Sequence, residues 1–281
     1  MNSAVDFIGI GAQKSGTSWA YACLYEHPDI CAPVKEIHFF SRSRFSEGRD
    51  WYEHHFRNCT EGKLSGEFST SYLYSEAAAE RIHSFYPHAK LIAILRNPID
   101  RAFSQYRNAI KAGEISESVS FETYMRDEPS VLAQGLYEVQ LERFYSHFDP
   151  SNILVLIYED IRRDPIAFMR KIYVFLGVQT DFVSSMVHDE INVARTPKHV
   201  FVDRMMHHVS ESLRRIGFDR VVHLIRKSGL PDFVRSFNTK KPQHMHHSIT
   251  YGREAIRAHF KDDVQRLSTR LGRDLHTEWN I

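Results

Sequence analysis

Three short, almost purely apolar runs punctuate the chain: Phe7-Ile8-Gly9-Ile10-Gly11, Leu91-Ile92-Ala93-Ile94-Leu95 and Ile153-Leu154-Val155-Leu156-Ile157. Unbroken apolar runs of this length, rich in strand-forming residues and bounded by turn residues, are the pattern of strands buried on both faces of a parallel sheet. Each run gives way to a turn and then to apolar residues at helical spacing. After the first, Ser15-Gly16-Thr17-Ser18 leads to Trp19, Ala20 and Leu24; after the second, Arg96-Asn97-Pro98 leads into a helix over Ile99 to Lys111. After the third, Asp164-Pro165 opens a helix that runs to about Leu176 and is stopped by Gly177. This repeated strand, loop and helix predicts an α/β fold with a central parallel sheet flanked by helices.

The remainder reads as helix-rich. Ser75 to Tyr86 is Ala/Glu-rich and ends at Pro87, and Phe121 to Phe148 contains amphipathic stretches. From Arg253 to Leu271 the apolar residues Ile256, Phe260, Val264, Leu267 and Leu271 recur along one helical face. Residues 196–250 are locally basic and are expected to cap the site on its acceptor side. No Pro/Gly/Ser-rich linker divides the chain, so residues 1–281 are expected to form one domain.

Composition narrows the partners. The chain has 281 residues, 36 Lys+Arg against 35 Asp+Glu and a formal net charge of +1, with 42% hydrophobic and 25% charged residues. That is ordinary globular usage, and it lacks the cationic surplus of a nucleic-acid binder. Cys23, Cys31 and Cys59 are odd in number and show no C-x-x-C spacing, so neither a disulfide framework nor a zinc site is expected, and a reducing compartment is the simpler reading. His207, His208, His244, His246 and His247 lack clustered acidic partners and predict no metal site. The N-terminus has no basic region ahead of a long apolar stretch, and no run approaches the ~18–20 apolar residues of a membrane span. The expectation is a soluble, cytoplasmic protein with no transmembrane segment.

The strongest chemical signal is Gly11-Ala12-Gln13-Lys14-Ser15-Gly16-Thr17-Ser18, set between a strand and a helix. There, successive backbone N–H groups and a helix N-terminus form a cradle for a phosphate-like anion. The spacing imitates the Walker loop G-x-x-x-x-G-K-[ST], but Thr17 stands at the lysine position and the lysine has moved back to Lys14. A second anion element is Arg96 through Ser104 at another strand's end, where Arg96 offers a planar fork and Ser104 a hydroxyl. Two anion-binding turns on one sheet edge suit a nucleotide with phosphate at both ends. Arg195 and Lys198 are candidates for a late loop closing on the second phosphate; a solvated basic turn accounts for them equally well.

Taken with Lys35-Glu36-Ile37-His38-Phe39-Phe40, these strings are similar to sulfotransferases that use 3′-phosphoadenosine 5′-phosphosulfate (PAPS), in the branch of the heparan sulfate sulfotransferases and their bacterial relatives. The likeness is specific over roughly residues 5–110, with weaker matches at Tyr158-Glu159-Asp160 and Leu271-Gly272-Arg273-Asp274-Leu275. The resemblance implies that Lys14 contacts the 5′-phosphosulfate and steadies the leaving phosphate, and that Ser15, Gly16, Thr17 and Ser18 bind the 5′-phosphate. It implies further that Arg96 and Ser104 bind the 3′-phosphate, that Glu36 is the general base and that His38 assists or orients it. On the residues alone, a loop glutamate is usually solvated and a histidine beside Phe39-Phe40 is usually packed. Sulfuryl carries less negative charge than phosphoryl, so no metal is expected.

Two positions depart from the branch: Phe68, within Gly66-Glu67-Phe68-Ser69-Thr70-Ser71-Tyr72, stands where many relatives have lysine, and Ser41 stands where several have an acid. They turn the expected acceptor away from a glycosaminoglycan, towards the hydroxyl or amine of a small molecule, such as a secondary metabolite or glycolipid, or of another carbohydrate. The rivals are a P-loop kinase with an atypical lysine, which needs magnesium and an acidic ligand for it, and a nucleotide-binding protein without turnover.

Overall fold

The computed structural model describes residues 5–188, 196–197, 239–240 and 253–281. Its centre is a five-stranded sheet in the order β2-β3-β1-β4-β5. The strands are β1 (Phe7–Gly11), β2 (Ile30–Cys31), β3 (Leu64–Phe68), β4 (Lys90–Leu95) and β5 (Ile153–Ile157), and every pairing is parallel. The three apolar runs are therefore strands, with β1 central between β3 and β4. Alternate residues of β4 feed two cores: Leu91, Ala93 and Leu95 on one face, Ile92 and Ile94 on the other. Burial on both faces is why the run shows no polar alternation.

Helices α1 (Thr17–Tyr25) and α9 (Pro165–Leu176) cover one face, where Trp19 meets Phe168 edge-on with ring centroids 5.8 Å apart. The other face is covered by α3 (Ala78–Phe85), α4 (Pro98–Ala112), α7 (Tyr137–Tyr145) and α10 (Arg253–Leu271). Between them lie the short α2 (Arg49–Glu53), α5 (Phe121–Asp127), α6 (Ser130–Ala133) and α8 (Glu159–Arg163), and α11 (Leu275–Trp279) follows α10. Ile256, Phe260, Val264 and Leu267 of α10 are buried, as their spacing predicts. Residues 196–197 (β6) and 239–240 (β7) form an antiparallel pair; the rest of the expected 196–250 cap lies outside the described residues.

The caps are those the sequence signals. Asn97 closes the start of α4, its side chain accepting from the N–H groups of Ile99 and Asp100, with Pro98 in the first turn. Asp164 does the same for α9, which Gly177 ends in a left-handed conformation.

The cysteine expectation is corrected. Cys31, at the end of β2, is disulfide-bonded to Cys59 across a sequence separation of 28, and Cys23 is buried and outside any disulfide. The pairing of β2 with β3 brings Cys31 opposite Ser65, and Cys59 lies in the turn that feeds β3. Sheet pairing makes that proximity, and residue spacing does not display it. The bond removes the cysteine argument for a reducing, cytoplasmic setting. Among the described residues no helix is long and apolar enough to cross a membrane.

Candidate active site

In a parallel sheet the loops beyond the strands' carboxyl ends converge on one edge, where ligands of such folds bind. Here that edge gathers Lys14 to Ser18 after β1, Lys35 to His38 after β2, Ser69 to Tyr72 after β3 and Arg96-Asn97 after β4. A cavity of about 380 Å³ lined by Asp6, Arg49, Tyr86, His88 and Lys90 lies at the opposite edge and shares none of these residues.

The phosphate loop has a form that anion binding needs. Gly16 has φ +82°, and a Cβ there would stand 2.8 Å from the Tyr158 ring, so the position demands glycine for both conformation and space. Thr17 and Ser18 begin α1, placing their N–H groups at the positive end of the helix. Ser15 Oγ is fully buried and has no hydrogen-bond partner among the described residues. Lys14 is half-buried with φ 69°. Burial holds its ammonium below the ordinary lysine range, Lys111, Lys35 and Arg101 add to the depression, and Glu114 opposes it.

Arg96 is tied into the same loop. Its Nη1 donates to the Lys14 carbonyl at 3.3 Å, and its guanidinium lies 4.6 Å from the centroid of the Tyr158 ring. Its own carbonyl accepts from Tyr137 OH at 2.8 Å. Asn97 is fixed by Glu159, which accepts from its N–H, and by the Trp279 carbonyl, which accepts from its side chain at 2.9 Å. Arg273 clamps Asp160 with two bonds of 2.6 and 2.8 Å, so the two weaker resemblance strings meet behind the Arg96 turn. Arg96 Nε is buried without a partner among the described residues. Leaving a buried donor unpaired costs about 1–3 kcal/mol, so Ser15 Oγ and Arg96 Nε mark places for a ligand's acceptor oxygens. The phosphates of PAPS fit that donor set. Ser104 is half-buried on α4 along the same turn-and-helix unit.

Glu36 and His38 are adjacent in space. The Glu36 carboxylate accepts from Lys35 Nζ at 2.7 Å, from the Thr70 N–H at 3.0 Å and from Thr70 Oγ1 at 3.1 Å. His38 Nε2 lies 3.3 Å from its Oε2, and the Glu36 side chain remains 30% exposed. His38 Nδ1 lies 2.7 Å from Ser71 Oγ, which is 2.6 Å from Ser41 Oγ. Burial lowers the imidazole's pKa, and Arg42, Lys35 and Arg44 reinforce this against the opposing pull of Glu36. A neutral ring that donates from Nε2 to Glu36 leaves Nδ1 to accept from Ser71. Lys14, Glu36 and His38 are three of the four non-glycine residues with positive φ among those described, at 69°, 62° and 56°. Such conformations cost about 1–2 kcal/mol each and persist where the surroundings enforce them.

Beneath this loop, the buried Glu67 accepts from Tyr72, Tyr52 and Ser69. Phe68 is fully buried on the other side of β3, its ring against Gly9, where an added Cβ would stand 2.0 Å away. It therefore packs in the core and does not line the cleft, so its contrast with a lysine bears on packing under β1 and not on the acceptor. Ser41, in contrast, belongs to the site. Arg195 and Lys198 lie outside the described residues, as do the five histidines His207, His208, His244, His246 and His247. Lys35, Ser69, Thr70 and Ser71 join these groups, and no motif in the sequence marks them as site residues. The available signal was the hydroxyl-rich run Ser69-Thr70-Ser71 immediately after a strand.

The sulfotransferase domain model matches residues 5–215, and the chain belongs to the sulfotransferase family. It is 33% identical over 194 residues to the human bifunctional heparan sulfate N-deacetylase/N-sulfotransferase 3, covering 61% of this chain and 22% of that protein. It is 32% identical over 177 residues to the mouse heparan sulfate glucosamine 3-O-sulfotransferase 3A1, covering 60% of this chain and 45% of that one. The chain thus spans less than half the length of these curated relatives. Among solved structures, a sulfotransferase from Alicyclobacillus acidocaldarius superposes with a TM-score of 0.69 at 28% identity, covering 99% of both chains.

Proposed function

We propose that this protein transfers the sulfuryl group of PAPS to a hydroxyl or amine of a carbohydrate or small-molecule acceptor. The observation that most supports the reading is the Arg96 bond to the Lys14 carbonyl, flanked by the orphaned buried donors Ser15 Oγ and Arg96 Nε. That bond ties the two turns together, which supports neighbouring subsites for a nucleotide with phosphates at both ends.

PAPS supplies an activated sulfuryl group on its 5′-phosphate and leaves as adenosine 3′,5′-bisphosphate. Ser15, Gly16, Thr17 and Ser18 hold the 5′-phosphate with backbone N–H groups and hydroxyls, and Arg96 with Ser104 holds the 3′-phosphate. Lys14 stabilises the charge that builds on the leaving phosphate oxygen, and its lowered pKa suits it to giving up a proton there. Glu36 takes the proton of the acceptor nucleophile. Thr70, Lys35 and His38 fix the carboxylate, and Ser71 with Ser41 sets the imidazole. In this reading Arg195 and Lys198 belong to a late loop that closes on the 3′-phosphate, the basic 196–250 segment caps the acceptor side, and residues 1–281 act as one domain. Packing of α10 in the same core as β1 and β4 supports that last point.

The relatives' names concern heparan sulfate, which favours testing carbohydrate amines and hydroxyls first and small molecules such as secondary metabolites next. A kinase would need the Walker lysine where Thr17 stands, and membership of the sulfotransferase family speaks against it. The test is release of adenosine 3′,5′-bisphosphate from PAPS in the presence of N-deacetylated heparosan oligosaccharides, which offer both amines and hydroxyls, and a panel of phenols and alcohols. Glu36→Gln is expected to lower turnover by about 100-fold or more while leaving bisphosphate binding intact. A fully active Glu36→Gln enzyme removes Glu36 as the base.

A further inference from the structure

The Glu36–His38 loop rests on a carboxylate that this reaction scheme does not use. Glu67, on β3, is fully buried. Its Oε1 accepts from Tyr72 OH at 2.7 Å and Tyr52 OH at 3.3 Å, and its Oε2 accepts from Ser69 Oγ at 2.8 Å. Two of these hydroxyls have a second partner. Ser69 Oγ accepts from the N–H of His38 at 2.9 Å, and Tyr72 OH accepts from the N–H of Phe39 at 3.0 Å.

A hydroxyl has one proton and two lone pairs, whereas an ionised carboxylate only accepts. Glu67 therefore draws the protons of Ser69 and Tyr72 towards itself and leaves their lone pairs facing the two backbone N–H groups. Those N–H groups belong to the residue with φ 56°, whose backbone needs external enforcement, and to its neighbour. His38 in turn places its Nε2 3.3 Å from Glu36. Burial also pushes the Glu67 carboxyl up to about 7, a cost of desolvation that an apolar residue at this position would avoid.

We propose that Glu67 is a positioning residue for sulfuryl transfer: through the Ser69 and Tyr72 hydroxyls it orients both relays, fixes the His38-Phe39 backbone and so sets the imidazole against the Glu36 carboxylate. Its kinetic consequence rests on the reading of Glu36 as the base; the tether itself does not.

The test compares Glu67→Gln, Ser69→Ala and Tyr72→Phe with the unaltered full chain at about pH 8, where Glu67 is ionised. Three quantities are read: hydrogen exchange of the His38 and Phe39 amides by NMR, the Kd for adenosine 3′,5′-bisphosphate, and kcat for PAPS consumption. The acceptor probe is an N-deacetylated heparosan oligosaccharide or water. Ser69→Ala should speed exchange at His38, Tyr72→Phe at Phe39 and Glu67→Gln at both, each by about ten-fold or more. Glu67→Gln should lower kcat by about ten-fold or more with the bisphosphate Kd changed by less than about two-fold. The proposal is overturned if both amides keep their protection in Glu67→Gln. It is equally overturned if kcat and bisphosphate affinity fall together in Ser69→Ala and Tyr72→Phe, the pattern of general structural damage. Should Glu67→Gln fail to fold, the two relay variants carry the same test. A wild-type chain that consumes no PAPS sinks the sulfotransferase reading, and amide exchange then decides the tether alone.

Discussion

The Arg96 guanidinium donates to the backbone carbonyl of Lys14 at 3.3 Å, so the turn after β4 grips the turn after β1 by its main chain. The same guanidinium lies over Tyr158, whose ring packs against Gly16. Arg96 thus braces the two turns, besides its proposed part in holding the 3′-phosphate. Arg96→Ala is expected to weaken adenosine 3′,5′-bisphosphate binding by about 10–100-fold, the worth of a charge-assisted bidentate contact. Arg96→Lys should recover little, because an ammonium supplies neither the fork nor the stacking plane. Calorimetric titration of the two variants checks both statements.

Lys14 leads to a pH dependence. Its ammonium titrates below the ordinary lysine range, chiefly through burial, and only the charged form attracts a phosphate. Bisphosphate affinity should therefore decline as pH rises through that lowered value, earlier than an ordinary lysine allows. Lys14→Arg should be flat over the same range, since a guanidinium does not titrate there. Kd measured against pH for both proteins decides it.

Glu67 has the opposite relation to pH and acts on stability. Its folded value, about 7, lies above its ordinary 4.5, so the folded chain keeps this proton longer than the unfolded one. The stability it contributes is complete below about 4.5 and is lost as pH rises to about 7, with a slope of at most ~1.4 kcal/mol per pH unit. Denaturant unfolding across that window should show this falling component in the wild type and lack it in Glu67→Gln. Equal pH profiles in the two proteins contradict it.

The Cys31–Cys59 bond closes a loop with a sequence separation of 28 that contains Glu36, His38 and α2. A cross-link over a loop of that size contributes about 3 kcal/mol. Cys31→Ser, or treatment with reductant, should lower the unfolding temperature by several degrees, and thiol titration of the denatured, unreduced chain should find one free cysteine of three.

Legibility in the sequence followed burial and local chemistry. The doubly buried β1, β4 and β5 stand out as apolar runs, and α4 and α9 announce themselves through Asn97-Pro98 and Asp164-Pro165. The short edge strand β2 and the strand β3, whose residues are Leu64-Ser65-Gly66-Glu67-Phe68, carry no such run. Glu67 is buried because three hydroxyls converge on it, and Thr70 and Ser71 reach Glu36 and His38 across 34 and 33 residues. Those contacts exist only once β3 lies between β2 and β1. The phosphate loop, whose residues are contiguous, was readable; the support of Glu36, assembled from separate loops, was not.

The identity of the nucleotide is the central point of the proposed chemistry. Calorimetric titration with adenosine 3′,5′-bisphosphate and with ATP, both in EDTA, separates a site built for a 3′-phosphate from one built for a magnesium triphosphate. The account predicts micromolar-range binding of the bisphosphate, about −8 kcal/mol, with little heat from ATP. Binding of neither nucleotide in EDTA, followed by ATP binding once magnesium is added, would contradict it.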